Sequence, residues 1–127
     1  MASAVLDASV LLAHISGEQG SEPVPQLASD AFLSTVNLAE VFTKLLERDL
    51  TADAAASLVY RYGFEVVPFD EELARQSGAL RVPTKKFGLS LGDRACLALA
   101  QREGLPALTT DRQWAKLSIG IEVKVVR

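Results

Sequence analysis

Two hydrophobic periodicities alternate along this chain. Short apolar runs of strand character fall at Ser3–Leu6, Ala31–Ser34, Phe64–Phe69 and Ala107–Thr109. A last stretch, Ile119–Val126, alternates Ile121, Val123 and Val125 against Glu122 and Lys124, as a strand with one wetter face does. Between these runs the apolar positions recur at helical spacing. Val10, Leu11, Leu12 and Ile15 predict a helix over Ala8–Ile15. Leu38, Val41, Phe42, Leu45 and Leu46 stripe a helix over Asn37–Leu50, with Lys44, Glu47 and Arg48 largely opposite. Further helices are predicted over Ala52–Tyr62, from Asp70 to about Leu80, and over Leu91–Glu103. The last is apolar enough to pack on more than one side. A short helix around Pro25–Ser29 and a helical turn over Arg112–Leu117 complete the pattern. Gly17–Pro23 and Arg81–Ser90 read as loops from their Gly, Pro and Lys content.

Strands alternating with helices predict an α/β fold with a parallel sheet and right-handed crossovers. Open parallel sheets form their ligand crevices at the carboxyl ends of central strands. The first strand ends there in a carboxylate, Val5-Leu6-Asp7, and a helix follows at once. The 127 residues, 49% of them hydrophobic and 23% charged, suit one folded domain spanning 1–127, with no repeat and no second unit. No run is long enough to cross a bilayer, and the start lacks the basic and apolar regions of a signal peptide, so the expected compartment is the cytoplasm. The lone cysteine, Cys96, rules out an internal disulfide and any cysteine-based zinc cluster, and reads as a small core residue. The lone histidine, His14, lies on the apolar first helix and reads as packing. A net charge of −3 and a pI of about 5.1 do not advertise nucleic-acid binding. An acidic protein still acts on nucleic acid when metal ions stand between its carboxylates and the phosphates.

Asp7, Glu40, Asp93 and Asp111 all stand at predicted helix starts, where capping is an acid's ordinary role. Asn37-Leu38-Ala39-Glu40 and Ser90-Leu91-Gly92-Asp93 both have the shape of a capping box. Asp70 follows a strand and opens a helix in the same way, and nothing else marks it, so it reads as a cap. The other four differ by joint placement. Asp7 and Asp111 follow strands expected near the middle of the sheet, and Glu40 and Asp93 follow loops on the same edge. All four then converge on one crevice. Gathered carboxylates repel unless a cation is present, and hard oxygen donors without Cys or His suit Mg²⁺ or Mn²⁺. Ser9, Asn37, Thr109 and Thr110 are placed either to orient these acids or to serve as ordinary cap and turn residues.

Val5-Leu6-Asp7-Ala8-Ser9, Asn37-Leu38-Ala39-Glu40, Leu91-Gly92-Asp93-Arg94-Ala95 and Leu108-Thr109-Thr110-Asp111-Arg112, in this order and spacing, resemble the PIN domain, and within it the VapC-type toxins of bacterial toxin–antitoxin pairs. The resemblance covers essentially the whole chain. It implies a three-layer α/β/α sandwich around a mainly parallel sheet of four to five strands. It also implies a Mg²⁺- or Mn²⁺-dependent endoribonuclease that leaves 5′-phosphate and 3′-hydroxyl ends, commonly as a homodimer. Asp7, Glu40, Asp93 and Asp111 map onto the family's catalytic, metal-holding acids, and Ser9 with Thr109 or Thr110 onto the polar positions beside them. Asp93 or Asp111 is the candidate base for the attacking water. Relatives of this type are held inactive by an antitoxin whose tail fills the groove. Arg94 stands where many relatives have a small residue. Arg94 and Arg112, and Lys85-Lys86 with Arg81, are candidate phosphate contacts for an RNA substrate. Two non-enzymatic readings compete: a Mg²⁺-binding receiver-like domain, and a PIN-like interaction domain without catalysis. The first is weakened by the single acid after the first strand and by the lack of a suitable residue after Val126. The second is weakened by the complete quartet.

Overall fold

The computed structural model describes residues 1–127. Five strands form one sheet: β1 (Ala4–Leu6), β2 (Ala31–Ser34), β3 (Glu65–Val67), β4 (Ala107–Thr109) and β5 (Val123–Val125). Every neighbouring pair is parallel, in the order β3-β2-β1-β4-β5. Seven α-helices accompany them: α1 (Ala8–Ile15), α2 (Val24–Ala28), α3 (Thr35–Glu47), α4 (Ala52–Tyr60), α5 (Glu71–Ala79), α6 (Arg81–Thr84) and α7 (Leu91–Glu103). Two 3-10 turns cover Lys85–Phe87 and Arg112–Lys116.

The pleat of β1 explains the layers. Successive side chains of a strand point to opposite faces. Ala4 and Leu6 enter a core with Val10, Leu11, Val24, Val41, Leu45, Ala55 and Val59, which are residues of α1 to α4. Val5, between them, enters a second core with Leu73 of α5, Cys96 to Ala100 of α7, and Trp114. Helices therefore cover both faces, giving the α/β/α sandwich. Leu97, Leu99 and Ala100 are all buried, so α7 packs on more than one side as its composition implies.

The chain lays down β1, β2 and β3 outward in one direction, then returns past β1 to add β4 and β5 on the other side. The order reverses between β1 and β4, and the carboxyl ends of strands at such a switch point are where open parallel sheets take their ligands. This order is not the 2-1-3-4-5 arrangement of receiver domains, which removes the receiver-like reading.

Several local readings change, among them the last strand, where Ile119–Val126 shortens to Val123–Val125. Arg81–Ser90 is not an open loop: Arg81–Thr84 is helical and Lys85–Phe87 continues as a 3-10 turn, ended by Gly88 at φ 62°. Pro83 is tolerated because a helix's first turn has no use for its N–H. The helix expected from Asn37 begins at Thr35, because Ser34 Oγ accepts from Val36 N and caps it. Asn37 is thus a first-turn residue, and Asn37–Glu40 is no capping box. Phe64–Phe69 shortens to Glu65–Val67 at the edge of the sheet, where Pro68 withholds a ladder donor. No helix is long and apolar enough to cross a membrane.

On α3 Leu45 is buried and Phe42 half-buried, Tyr60 at the end of α4 is 55% exposed, and Tyr62, in the turn just beyond, is half-buried. Tyr60 leans on Phe42 and Phe64, with centroids 6.0 and 6.3 Å away.

Candidate active site

Asp7 occupies the N-cap position of α1, yet its side chain caps nothing. Its backbone N–H donates to Leu108 O at 2.8 Å, which ties the end of β1 to β4. The carboxylate is drawn instead into a hydroxyl network. Ser9 Oγ donates to Asp7 Oδ2 at 2.7 Å and Thr109 Oγ1 donates to the same oxygen at 3.0 Å. Those directions follow because an ionised carboxylate only accepts, and each hydroxyl in turn accepts a backbone N–H: Thr110 N donates to Ser9 Oγ, and Asp111 N donates to Thr109 Oγ1, both at 3.1 Å. A hydroxyl has one proton to give, and both give it to Oδ2. Oδ1 receives none and is left for another partner.

Burial is the largest influence on Asp7. It pushes the carboxyl up from 3.8 to about 6, with further lift from the negative charges of Asp93 and Glu40, against the lowering pull of Ser9 and Thr109. Glu40 is raised as well, first by burial and then by Asp93, against Asn37 and Lys44. The charges of Asp93 and Glu40 thus reach Asp7 at the end of β1, and that of Asp93, on α7, reaches Glu40 on α3.

Glu40 is held by a specific clasp. Asn37 Nδ2 donates to Glu40 Oε1 at 2.8 Å and to the carbonyl of Gly92, in the first turn of α7, at 3.0 Å. Two acceptors at that nitrogen fix which way the buried amide points. Asn37 Oδ1 is left buried without a partner. Asp93 is a true cap: Ser90 N donates to its Oδ2 at 2.9 Å while its own N–H donates to Ser90 Oγ at 3.1 Å. Its other oxygen remains open.

Asp111 is exposed and stands at the rim. Its Oδ1 accepts from Gln113 N at 2.9 Å, capping the 3-10 turn, and its charge does not figure among those acting on Asp7 or Glu40. Of the four acids expected to converge, Asp7, Glu40 and Asp93 thus lie within reach of one another's charge and Asp111 stands apart from them. As they stand, no three Asp, Glu, His or Cys side chains close on a single point that an ion would fill. The donors still fit a hard divalent cation: carboxylate oxygens with open lone pairs, set by hydroxyl and amide donors, and no thiolate or imidazole among them.

Among the supporting residues, Ser9, Asn37 and Thr109 contact the acids directly, whereas Thr110 contributes only its backbone N–H. Arg94 turns away. Its Nη1 donates to the carbonyl of Ser77 in α5 at 3.0 Å and its Nε is buried, so its work is to hold α5 on α7, in place of the phosphate contact considered for it. Arg112, Arg81, Lys85 and Lys86 are exposed, and Lys86 lies 5.4 Å from the centre of the Phe87 ring. Cys96 is wholly buried beneath the acids, its thiol pushed well up by burial and then by Asp7, Asp93 and Glu40. His14 packs edge-on against Tyr62 and shares a 2.5 Å hydrogen bond with its hydroxyl. The largest cavity, about 480 Å³, lies between α1, α2 and α4 beside that pair, and none of the acids lines it.

One residue at the site has a part that sequence reasoning missed. A Cβ on Gly92 would lie 2.5 Å from Glu40 Cδ, 2.6 Å from Oε2 and closer still to Oε1, so the carboxylate rests directly on the bare α-carbon. The available signal was a glycine inside the first turn of a helix otherwise rich in Ala and Leu.

The chain matches the model of the PIN domain over residues 4–120. It belongs to the PIN domain family. This PIN domain is 32% identical, over an alignment of 132 positions covering 99% of it and 96% of the relative, to Ribonuclease VapC5 of Mycobacterium tuberculosis. Its fold is similar to that of the VapBC-5 toxin–antitoxin structure of the same organism, with 26% identity, TM-score 0.65, and 100% and 99% of the two chains covered. It is also similar to the DNA-bound VapBC of Salmonella typhimurium, with TM-score 0.76, 19% identity and 100% of both chains covered.

Proposed function

We propose that this PIN domain is a divalent-metal-dependent endoribonuclease and the toxin of a VapBC-type toxin–antitoxin pair. The observation that carries the reading is the state of Asp7. A carboxylate is buried at the topological switch point, with two hydroxyls committed to one oxygen and the other left open, within Coulombic reach of Glu40 and Asp93. Such a group is costly to ionise without a cation and well made to meet one. The full-length likeness to a protein named as a ribonuclease supports RNA as the substrate.

Asp7, Glu40 and Asp93 would hold the ion, taken here as Mg²⁺ or Mn²⁺, with Asp111 at the rim. A divalent ion supplies the acidification of a water nucleophile and neutralises charge that develops on the phosphate oxygens. The protein supplies the rest. Ser9 and Thr109 favour the ionised form of Asp7 against its burial and fix its rotamer, and Asn37 does the same for Glu40. Asp93 and Asp111, each with an oxygen free of donors, are placed to take the proton from the attacking water. Asp7, which also keeps one oxygen free of donors, is less suited because it is buried, whereas Asp93 is half-buried and Asp111 exposed. The exposed Arg112, Lys85, Lys86 and Arg81 supply positive charge for the RNA backbone on an otherwise acidic protein.

The VapBC structures that share this fold are toxin–antitoxin complexes. We take the partner of this chain to be an antitoxin, the assembly to be a homodimer, and the compartment to be the cytoplasm. The test is cleavage of labelled RNA by purified protein with Mg²⁺ or Mn²⁺. Cleavage should stop in excess EDTA and return when the ion is restored. Cleavage that persists in EDTA, or that no divalent ion elicits, overturns the reading.

A further inference from the structure

We propose that Gly92 is a positioning residue whose missing side chain sets where the Glu40 carboxylate stands relative to Asp7 and Asp93; this rests on the metal-dependent reading above. The geometry is local and steric. Glu40 projects from α3 toward the first turn of α7, and its carboxylate atoms occupy the space in which any Cβ at position 92 would lie, all three of them within 2.6 Å of it. Approaches that short do not occur, so any side chain at 92 must displace Glu40. The backbone of Gly92 needs no glycine. Its φ is not positive, unlike those of Gly88 and Gly104 on either side, and alanine is the better helix former. Chain conformation therefore does not explain the residue, and the space taken by Glu40 does.

The same residue holds Glu40 from a second direction. Asn37 Nδ2 binds Glu40 Oε1 and the Gly92 carbonyl together, so the carboxylate, the amide and the glycine form one three-part joint between α3 and α7. Asp93 is the next residue along α7. The joint thus sets the spacing of two acids that come from helices far apart in the chain. Arg94 and Ser77 anchor the same turn of α7 on its other side, through Arg94 Nη1 to Ser77 O and Ser77 Oγ to Arg94 O. When a Cβ appears at 92, α7 cannot easily retreat and the glutamate has to move.

Glu40 is long and flexible, so the displacement should harm the site without unfolding the protein. The test is a double-mutant cycle of Gly92→Ala and Glu40→Asp, read by Mn²⁺ binding in calorimetry or by the loss of free-ion signal in electron paramagnetic resonance, with thermal melting alongside. Gly92→Ala in the Glu40 background should weaken Mn²⁺ binding about 10- to 100-fold, the usual cost of disturbing a ligand's support. Its melting temperature should be unchanged or higher. Glu40→Asp shortens the side chain by one methylene and withdraws it from position 92. Adding Gly92→Ala to that background should cost little further affinity. Wild-type Mn²⁺ binding by Gly92→Ala overturns the inference, as does the same loss in both backgrounds. The metal reading itself fails separately, and visibly, if the wild-type chain binds no Mn²⁺.

Discussion

The end of β1 and the end of β3 carry the same local grammar: a short strand, an aspartate, then a helix. At the end of β3, Asp70 does what that grammar suggests. Its Oδ1 accepts from Leu73 N at 2.9 Å and caps α5, and its Oδ2 pairs with Arg102 at 3.1 Å. It is exposed, and these partners, the backbone bond first, hold its carboxyl below the ordinary range. At the end of β1, Asp7 leaves its helix uncapped, is buried, and titrates near 6. The two differ in where the sheet puts them. β3 is an edge strand, and Asp70 meets the last turn of α7. β1 is the central strand at the point where the topology reverses, and Asp7 meets Asp93 in the first turn of the same helix. Nine residues of helix, about 13 Å, separate Arg102 from Asp93. The same motif is a structural cap at one address and a buried, ion-ready carboxylate at the other.

The sharpest way to break the comparison is to neutralise both. Asp7→Asn, and likewise Asp93→Asn, should reduce RNA cleavage to the level seen in excess EDTA. Asp70→Asn should leave cleavage intact. Full activity in either of the first two variants would end the distinction.

Stability should move in the opposite sense. The native carboxyl of Asp7 is raised, so the native state holds its proton more tightly than the unfolded chain does. Asp7's contribution to stability is therefore full below pH 3.8 and is lost as pH rises through about 6. In EDTA at pH 7.5, Asp7→Asn should unfold at higher temperature than wild type, with a gain of up to about 3 kcal/mol. The gain should vanish by pH 3.5. Asp70, with a lowered carboxyl, stabilises above pH 3.8 and ceases to as pH falls, so Asp70→Ala should melt lower than wild type at pH 7 and converge with it in acid. Parallel pH profiles for the two variants would refute the contrast.

Removing a hydroxyl tests how Asp7 is held. Thr109→Val and Ser9→Ala each delete one donor to Oδ2 and should lower cleavage about 10- to 100-fold without changing the ion requirement. Equal loss in Thr110→Val, whose side chain makes no bond here, would argue that the effect is not specific to Asp7. The smallest effect is expected at the rim. Reversing Lys85 and Lys86 to Glu should weaken RNA binding and flatten its salt dependence by about one unit of slope for each phosphate no longer neutralised. An unchanged slope would remove them from the RNA surface.

What was legible of the candidate site was the set of acids along one sheet edge. Asp7, Glu40, Asp93 and Asp111 stand out in sequence because acids at four helix starts on one sheet edge are more than capping requires. What each acid does was not legible, because capping depends on one or two residues of register. A helix that starts at Thr35 instead of Asn37 releases Asn37 from capping and turns it toward Glu40. Asp111 was expected level with the others and stands at the rim, because its oxygen caps the turn that follows β4. Arg94 read as a candidate phosphate contact, and only the packing of α5 on α7 shows that its guanidinium is turned to Ser77.

By itself the sequence determined the alternation of strands and helices, the parallel sheet and the family, since periodicity and short spaced motifs are local properties of the chain. The tertiary structure alone decided the strand order, and with it which strand-end aspartate is buried among other acids. It also decided that Glu40 rests on Gly92, a contact across 52 residues of chain that no local pattern encodes. Burial and Coulomb repulsion depend on what surrounds a group in space, and two aspartates in the same sequence setting acquired opposite properties for that reason.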